Sequence, residues 1–255
     1  MTKHICDGIV LENIQLTSDV KMLKLKAPAI GKEAQPGQFL TIEVTKQAAP
    51  FLRRPFGIAD VEREKGLLWI IYRVVGDATK ILAEAKEGEI LKLLGPLGHG
   101  FSLEAKNPLI VGGGMGLAPL HFLATSFSHK LPDVLMGAKS ASELFWLKLF
   151  QNKAKNIYVT TDDGSQGVKG TVSALLPKLL ATGKYDCVYL CGSSPMMKGV
   201  IGTIDKAGVP CQISLEKYMA CGLGACLSCS CSGIGKRMKV CTDGPVFWSK
   251  EVVEW

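Results

Sequence analysis

The sequence predicts a β plus α/β chain: an N-terminal antiparallel β-barrel, a doubly wound parallel α/β domain and a small cysteine-rich segment. Short β-type runs fill the first hundred residues, and from about residue 107 apolar runs alternate with helical stretches. Five cysteines then crowd into residues 221–241. We expect the domains to span 1–102, 103–216 and 217–255.

The barrel is predicted from the spacing of its short β-type runs, with one helix expected near residues 79–86. The run VKMLKLKA alternates apolar and polar residues, and GQFLTIEV follows a Pro-Gly turn. The runs lie at 20–27, 37–44, 56–61, 67–75 and 89–98.

The second region predicts a parallel sheet because its strands are separated by helical stretches. Its apolar runs lie at 108–114, 133–138, 156–161, 187–192 and 211–216. Residues 217–247 are too rich in glycine and cysteine to bury a core, so they should fold around something that they bind.

Composition narrows the classes of function. The 255 residues are 47% hydrophobic and 21% charged, which is typical of a globular protein. We expect no signal peptide, no membrane span and a cytoplasmic location, where nine cysteines favour metal or redox chemistry over disulfides. The net charge of +7 comes from scattered lysines, and aromatics make up only 7%, so no nucleic-acid partner is expected.

The stretch GGGMGLAP at 112–119 follows a predicted strand and opens a helix. Glycines there let backbone N–H groups approach a pyrophosphate at the positive end of the helix. The usual third glycine is replaced by Pro119. A plain tight turn is the alternative, but the strand–turn–helix context favours a nucleotide site.

Two segments of the barrel could bind a second phosphate-containing group. RRPFGI at 53–58 places two arginines beside a proline, and an arginine fork suits a pyrophosphate. YRVVGDAT at 72–79 ends a strand in a Gly-x-x-Thr turn that could hold phosphate. Surface arginines and an ordinary turn are the alternative.

The cysteines carry the most specific pattern. Cys221-x₄-Cys226-x₂-Cys229 with a later cysteine is the plant-type [2Fe–2S] spacing. Zinc modules favour two short Cys pairs, and a disulfide cluster suits an oxidising compartment. Four thiolates suffice for such a cluster, so one of the five cysteines is spare.

Together these motifs resemble the ferredoxin–NADP reductase superfamily. Within it, residues 95–101, 161–172, 214–229 and 240–247 resemble the electron-transfer subunits of NAD-dependent dihydroorotate dehydrogenases. The resemblance implies FAD, a [2Fe–2S] cluster and NAD as cofactors. It also implies a heterotetramer, two of each chain, with an FMN-containing dihydroorotate dehydrogenase catalytic subunit. Electrons would pass from that FMN through the cluster and FAD to NAD⁺ in de novo pyrimidine (UMP) biosynthesis.

The same resemblance implies site residues by position. FAD would be held by Arg54, Pro55, Phe56, Gly57, Ile71, Tyr72, Arg73, Ala78 and Thr79. The nicotinamide nucleotide would be held by Gly112, Gly113, Gly114, Gly116, Pro119, Cys191 and Gly192. The cluster ligands would be Cys221, Cys226, Cys229 and Cys241, which leaves Cys231 spare. Relatives commonly carry serine where this chain has Gly57, so the resemblance does not predict the reduction potential of the flavin.

Several alternatives stay open on the sequence alone. A related subunit could serve a hydrogenase, sulfite reductase or ferredoxin partner, and a zinc-stabilised binding module without redox activity is the rival of another class. Lys139 and Ser140 could favour NADP, yet neither an arginine nor a clear acidic partner for the ribose accompanies them. No acid–base catalytic pair is expected, because the four histidines, His4, His99, His121 and His129, are scattered.

Overall fold

The computed structural model describes residues 2–45, 49–127 and 130–254. Contacts divide the chain into two compact units. The barrel unit comprises residues 1–100, 216–231 and 237–246, and the sheet unit comprises 101–215, 232–236 and 247–255. The division into functional domains at 102 and 216 stays a prediction.

The barrel unit contains a closed barrel of six antiparallel strands in the order β1-β2-β5-β4-β3-β6. The predicted barrel is therefore confirmed. Its elements are β1 (His4–Gln15), β2 (Val20–Lys26), α1 (Pro28–Gly31), β3 (Phe39–Glu43), β4 (Arg54–Glu62), β5 (Leu67–Arg73), α2 (Asp77–Ala83) and β6 (Ile90–Leu97).

Alternation of side chains explains the barrel core. Leu23 and Leu25 of β2 are fully buried, as are Leu40 and Ile42 of β3, because residues two apart on a strand share a face. The sequence runs do not predict β1, whose only buried residues are Gly8 and Val10.

The sheet unit alternates strands and helices, as predicted. Its elements are β7 (Pro108–Gly113), α3 (Leu117–Ser126), β8 (Asp133–Ala138), α4 (Trp146–Phe150), β9 (Asn156–Thr161), β10 (Val168–Lys169), α5 (Leu176–Leu180), β11 (Cys187–Cys191), α6 (Ser194–Lys206) and β12 (Cys211–Ser214). After β12 the chain forms four short strands, β13 (Ser230–Gly233), β14 (Lys236–Lys239), β15 (Val246–Trp248) and β16 (Val252–Glu254).

The large sheet has the order β10-β9-β8-β7-β11-β12-β15, and its strands pair in parallel from β10 to β12. The strand order reverses at β7, which pairs with β8 on one side and with β11 on the other. Open parallel sheets bind ligands at the carboxyl ends of the strands beside such a reversal. Helix α3 packs on α4, and α5 packs on α6. The small sheet has the order β14-β13-β16. Within the described ranges, no helix is long and apolar enough to cross a bilayer.

Candidate functional site

The first candidate flavin segment lies at the start of β4. Arg54 to Gly57 are partly exposed, and β4 pairs there with β3 in the register Thr41↔Pro55 and Phe39↔Gly57. Of the two arginines expected to form a fork, Arg53 binds the Glu43 carboxylate at 2.9 Å, whereas Arg54 donates to the Leu52 carbonyl. The two guanidinium groups therefore have different partners, and Arg54 is the better candidate for a pyrophosphate.

An aromatic pair joins β4 to the end of β5. The Phe56 and Tyr72 rings meet edge to face, with centroids 5.8 Å apart. Burial raises the pKa of Tyr72 to about 12, and its hydroxyl donates to Asn13 Oδ1 at 3.1 Å. Ile71 is buried, and Arg73 forms an ion pair with Asp19 at 3.2 Å. The structure thus brings together the predicted residues of β4 and β5.

The Gly-x-x-Thr turn opens α2. The Thr79 hydroxyl accepts from the N–H groups of Val75 at 2.9 Å and Gly76 at 3.0 Å, and it donates to the Gly76 carbonyl at 2.9 Å. Ala78 is buried beside it. The hydroxyl therefore holds the shape of the turn, and the first N–H groups of α2 are the phosphate donors that this turn offers.

The predicted nucleotide turn of the sheet unit is built from closely packed glycines. Gly114 has φ +56°, and a short 3₁₀ turn over Gly114–Gly116 leads into α3, with Pro119 in its first turn. A Cβ at Gly112 would lie 2.7 Å from Leu117 and Leu120. The strand–turn–helix context predicted for 112–119 is confirmed.

Cys191 and Gly192, which are also predicted to hold the nucleotide, lie against this turn. A Cβ at Gly116 would stand 2.6 Å from the backbone of both Cys191 and Gly192. Cys191 is fully buried at the end of β11, and the Ser193 side chain caps α6 by accepting from the Met196 N–H. The two glycine turns therefore share one edge of the sheet, which follows from the pairing of Cys191 with Gly112.

An acidic group missed by the sequence analysis lies at the ends of β8 and β9. The Glu143 carboxylate accepts from the Lys139 N–H at 3.1 Å. On the neighbouring turn, the Ser165 hydroxyl donates to Asp163 at 2.6 Å and accepts from the Ala141 N–H at 2.7 Å. The two aspartates directly after β9 could have indicated an acidic group at this edge of the sheet from the sequence. The approach of Glu143 to the end of β8 could not be predicted in that way, because it depends on the turn that follows β8.

The four predicted cluster ligands form two pairs in the barrel unit. The Cys221 sulfur accepts from the N–H groups of Leu223 at 3.3 Å and Cys226 at 3.5 Å. Burial, and then a hydrogen bond with Cys229, raises the pKa of Cys241 to about 12. Gly224 closes the loop, because a Cβ there would stand 2.9 Å from Thr242.

Two thiols per iron is the ligand set of a [2Fe–2S] cluster, so the pairs fit that group. A single zinc ion instead needs four ligands around one point. Across residues 2–45, 49–127 and 130–254, no three His, Cys, Asp or Glu side chains are arranged to hold one metal ion. All nine cysteines are free thiols.

The environment of the thiols differs along the loop. Hydrogen bonds from the Ser228 hydroxyl and backbone lower the pKa of Cys226 to about 6, so it is readily a thiolate. Cys231 is buried in β13, and burial raises its pKa. The ligand assignment itself stays a prediction.

The histidines do not come together. His4 lies 3.3 Å from Glu33, and the His121 ring hydrogen-bonds the Leu149 carbonyl at 3.1 Å. The His99 N–H donates to the Gly244 carbonyl at 2.6 Å. His129 lies outside the described residues.

Comparison with known proteins identifies close relatives. Residues 216–253 match the family model of the iron–sulfur cluster binding domain of dihydroorotate dehydrogenase B. The chain is 43% identical to the dihydroorotate dehydrogenase B (NAD(+)) electron transfer subunit of Caldanaerobacter subterraneus subsp. tengcongensis, over 96% of each chain. It is 37% identical to the subunit of that name from Fusobacterium nucleatum, over 96% of this chain and 97% of the relative.

Solved structures agree on the fold. A chain from the NADH-dependent reduced ferredoxin–NADP oxidoreductase, described for flavin-based electron bifurcation, superposes with a TM-score of 0.88. It is 32% identical, over 97% of this chain and 90% of that chain. The ferredoxin reductase of carbazole 1,9a-dioxygenase, 23% identical over 82% of this chain and 67% of its own, shares the fold with a TM-score of 0.69.

Proposed function

Since the chain belongs to the family of dihydroorotate dehydrogenase B electron transfer subunits, we propose that it links dihydroorotate oxidation to NAD⁺ in UMP synthesis. Electrons leave the FMN of a catalytic partner subunit and reach NAD⁺ by way of a [2Fe–2S] cluster and FAD held by this chain. The working complex contains two copies of each subunit in the cytoplasm, where its thiols stay reduced.

The pairing of the four thiols is the observation that carries this proposal. Cys221 with Cys226 and Cys229 with Cys241 supply two thiolates to each iron. The backbone N–H groups of Leu223 and Cys226 donate to the Cys221 sulfur, and such hydrogen bonds help set a cluster's potential.

The cofactors supply a change in electron number, because nicotinamide accepts a hydride, a cluster passes single electrons and a flavin does both. The residues of this chain bind these cofactors and orient them. In the 1–102 domain, Arg54 holds the FAD pyrophosphate, the first N–H groups of α2 hold phosphate, and Phe56 and Tyr72 form an apolar wall for the ring. Gly57 has no hydroxyl, so only its backbone N–H is available to the flavin.

The 103–216 domain holds NAD at the carboxyl edge of its sheet. The turn 112–116 takes the pyrophosphate, and Cys191 with Gly192 lies at the nicotinamide end. Glu143 and Asp163 lie where the adenosine ribose is read, so they accept from its hydroxyls and repel the 2′-phosphate of NADP. Residues 217–255 hold the cluster.

Reconstitution with the FMN subunit tests the proposal. The anaerobically purified complex should show flavin and iron–sulfur absorption and should reduce NAD⁺ when given dihydroorotate. Absence of NAD⁺ reduction in a complex that contains both flavins and iron would overturn the assignment. Activity only with a hydrogenase, sulfite reductase or ferredoxin partner would support those alternatives, and a colourless protein containing zinc would support the binding module. Light scattering of the complex tests the heterotetramer.

A further inference from the structure

Thr41 is a buried threonine whose hydroxyl lacks a partner. It lies in the middle of β3, is only 3% exposed, and its Oγ1 has no hydrogen-bond partner among the described residues. A buried hydroxyl left without a hydrogen bond destabilises the folded state. Such a group indicates that a partner absent from the bare polypeptide satisfies it.

The Thr41 side chain lies on the outer face of the barrel. Leu40 and Ile42, its neighbours on β3, are fully buried in the core, and side chains alternate along a strand. Thr41 therefore belongs to the opposite face. It is nevertheless buried, because the cysteine loop covers it.

Gly222 of that loop lies beside the Thr41 side chain. A Cβ at Gly222 would lie 3.4 Å from Thr41 Cγ2 and 3.1 Å from Leu97 Cδ1. Gly222 has φ +68°, which favours glycine, and it directly follows Cys221. The loop thus brings the first cluster ligand to the strand that carries the hydroxyl.

Within the sheet, Thr41 pairs with Pro55 of the candidate flavin segment. Thr41 therefore neighbours the flavin segment along the sheet, and its methyl carbon Cγ2 lies beside Gly222 of the cysteine loop. Its Oγ1 is buried next to that methyl group.

We propose that Thr41 is a positioning residue for the cluster, with its hydroxyl donating a hydrogen bond to a cluster sulfur at the Cys221 end. A donor to sulfur stabilises the more negative, reduced cluster and raises its potential. The inference rests on the proposed function, because it requires the cluster at Cys221, Cys226, Cys229 and Cys241.

Thr41→Val removes the hydroxyl and keeps the shape of the side chain. We expect the reduced-to-oxidised ratio of the cluster at a fixed potential to fall about two- to tenfold, and tenfold corresponds to about 59 mV for one electron. Thr41→Ser keeps the donor and should keep the wild-type potential. The readout is a redox titration of the complex followed by the electron paramagnetic resonance of the reduced cluster.

Thr160→Val is the matched control. Thr160 of β9 is also fully buried with an unpartnered Oγ1, but it belongs to the sheet unit. Its replacement should leave the cluster potential unchanged. If the valine variant at 41 does not retain the cluster, Thr41→Ala takes its place with the same expected direction.

The outcomes separate this inference from the proposed function. An unchanged cluster potential in Thr41→Val would overturn the inference while the cluster itself stands. Equal shifts in the valine and serine variants would also overturn it, because packing alone would explain them, as would a shift confined to the flavin. A wild-type complex with no reduced-cluster signal would instead overturn the proposed function.

Discussion

The Val240 N–H donates to the Cys229 carbonyl at 3.0 Å, and this bond at the open end of the β13–β14 hairpin brings Cys241 beside Cys229. Cys231 lies beyond this contact in β13, where it is buried. The bond therefore favours Cys229 over Cys231 as the partner of Cys241 in holding one iron.

We expect Cys229→Ser to lose the cluster and Cys231→Ser to keep it. Only the first change removes one of the four paired thiols, because Cys231 lies in β13, outside both pairs. Iron and sulfide content, together with the visible spectrum of anaerobically purified protein, measure the difference. Cys231→Ser serves as the matched control, and the reverse result would reassign the third ligand.

Gly116→Ala should impair NAD binding without loss of flavin or iron. The new Cβ would lie 2.6 Å from the backbone of Cys191 and Gly192, so the two nucleotide turns would have to separate. A displacement of that kind costs on the order of ten- to a hundredfold in catalytic efficiency for NAD⁺. Steady-state kinetics and cofactor content provide the measurement.

Gly202→Ala is the control for that change. Gly202 lies inside α6, and a Cβ there would have no atom within 4 Å. The alanine should stabilise the protein by about 0.5–1 kcal/mol through the helix. Unchanged NAD⁺ kinetics in Gly116→Ala would show that NAD binding does not require the close approach of Gly116 to Cys191 and Gly192.

Local patterns predict much of this fold. The alternation of residues 20–27 predicts β2, and glycines after an apolar run predict the turn that follows β7. Contacts between distant segments are not readable in that way. The unpartnered Thr41 hydroxyl depends on the approach of the cysteine loop to β3, which is far from it in sequence. The Val240–Cys229 bond depends on the hairpin of β13 and β14, and Glu143 meets Lys139 only because a short turn folds back.

Glu143→Gln should narrow the preference for NAD over NADP. The amide keeps the bond to the Lys139 N–H but removes the negative charge that we place near the ribose. The NADP/NAD ratio of catalytic efficiencies should rise about tenfold, which corresponds to about 1.4 kcal/mol. Glu104→Gln, an exposed acidic residue before β7, should leave that ratio unchanged. A constant ratio in Glu143→Gln would remove this carboxylate from nucleotide selection.

Asp133 should make the free energy of unfolding of the sheet unit fall at acidic pH. Burial opposes its charge, but hydrogen bonds from Lys184 at 2.5 Å, Tyr185 at 2.7 Å and Asn156 at 2.9 Å outweigh burial and lower the pKa of Asp133. A carboxyl with a lowered pKa in the folded state stabilises above its unfolded pKa of about 3.9, and this contribution is lost as the pH falls below that value.

Asp133→Asn should therefore lower the free energy of unfolding by about 1–3 kcal/mol at pH 7, because Lys184 loses its carboxylate partner. Lys184 is 37% exposed, so water partly compensates and the loss stays below that of a fully buried pair. The difference between variant and wild type should shrink as the pH falls below about 4, because unfolded wild type then binds a proton that the folded Asp133 carboxylate, with its lowered pKa, does not. Urea unfolding between about pH 3.5 and 7 measures this, and Asp205→Asn, at an exposed position of α6, supplies the control. A difference that stays constant with pH would show that the charge of Asp133 contributes nothing to stability.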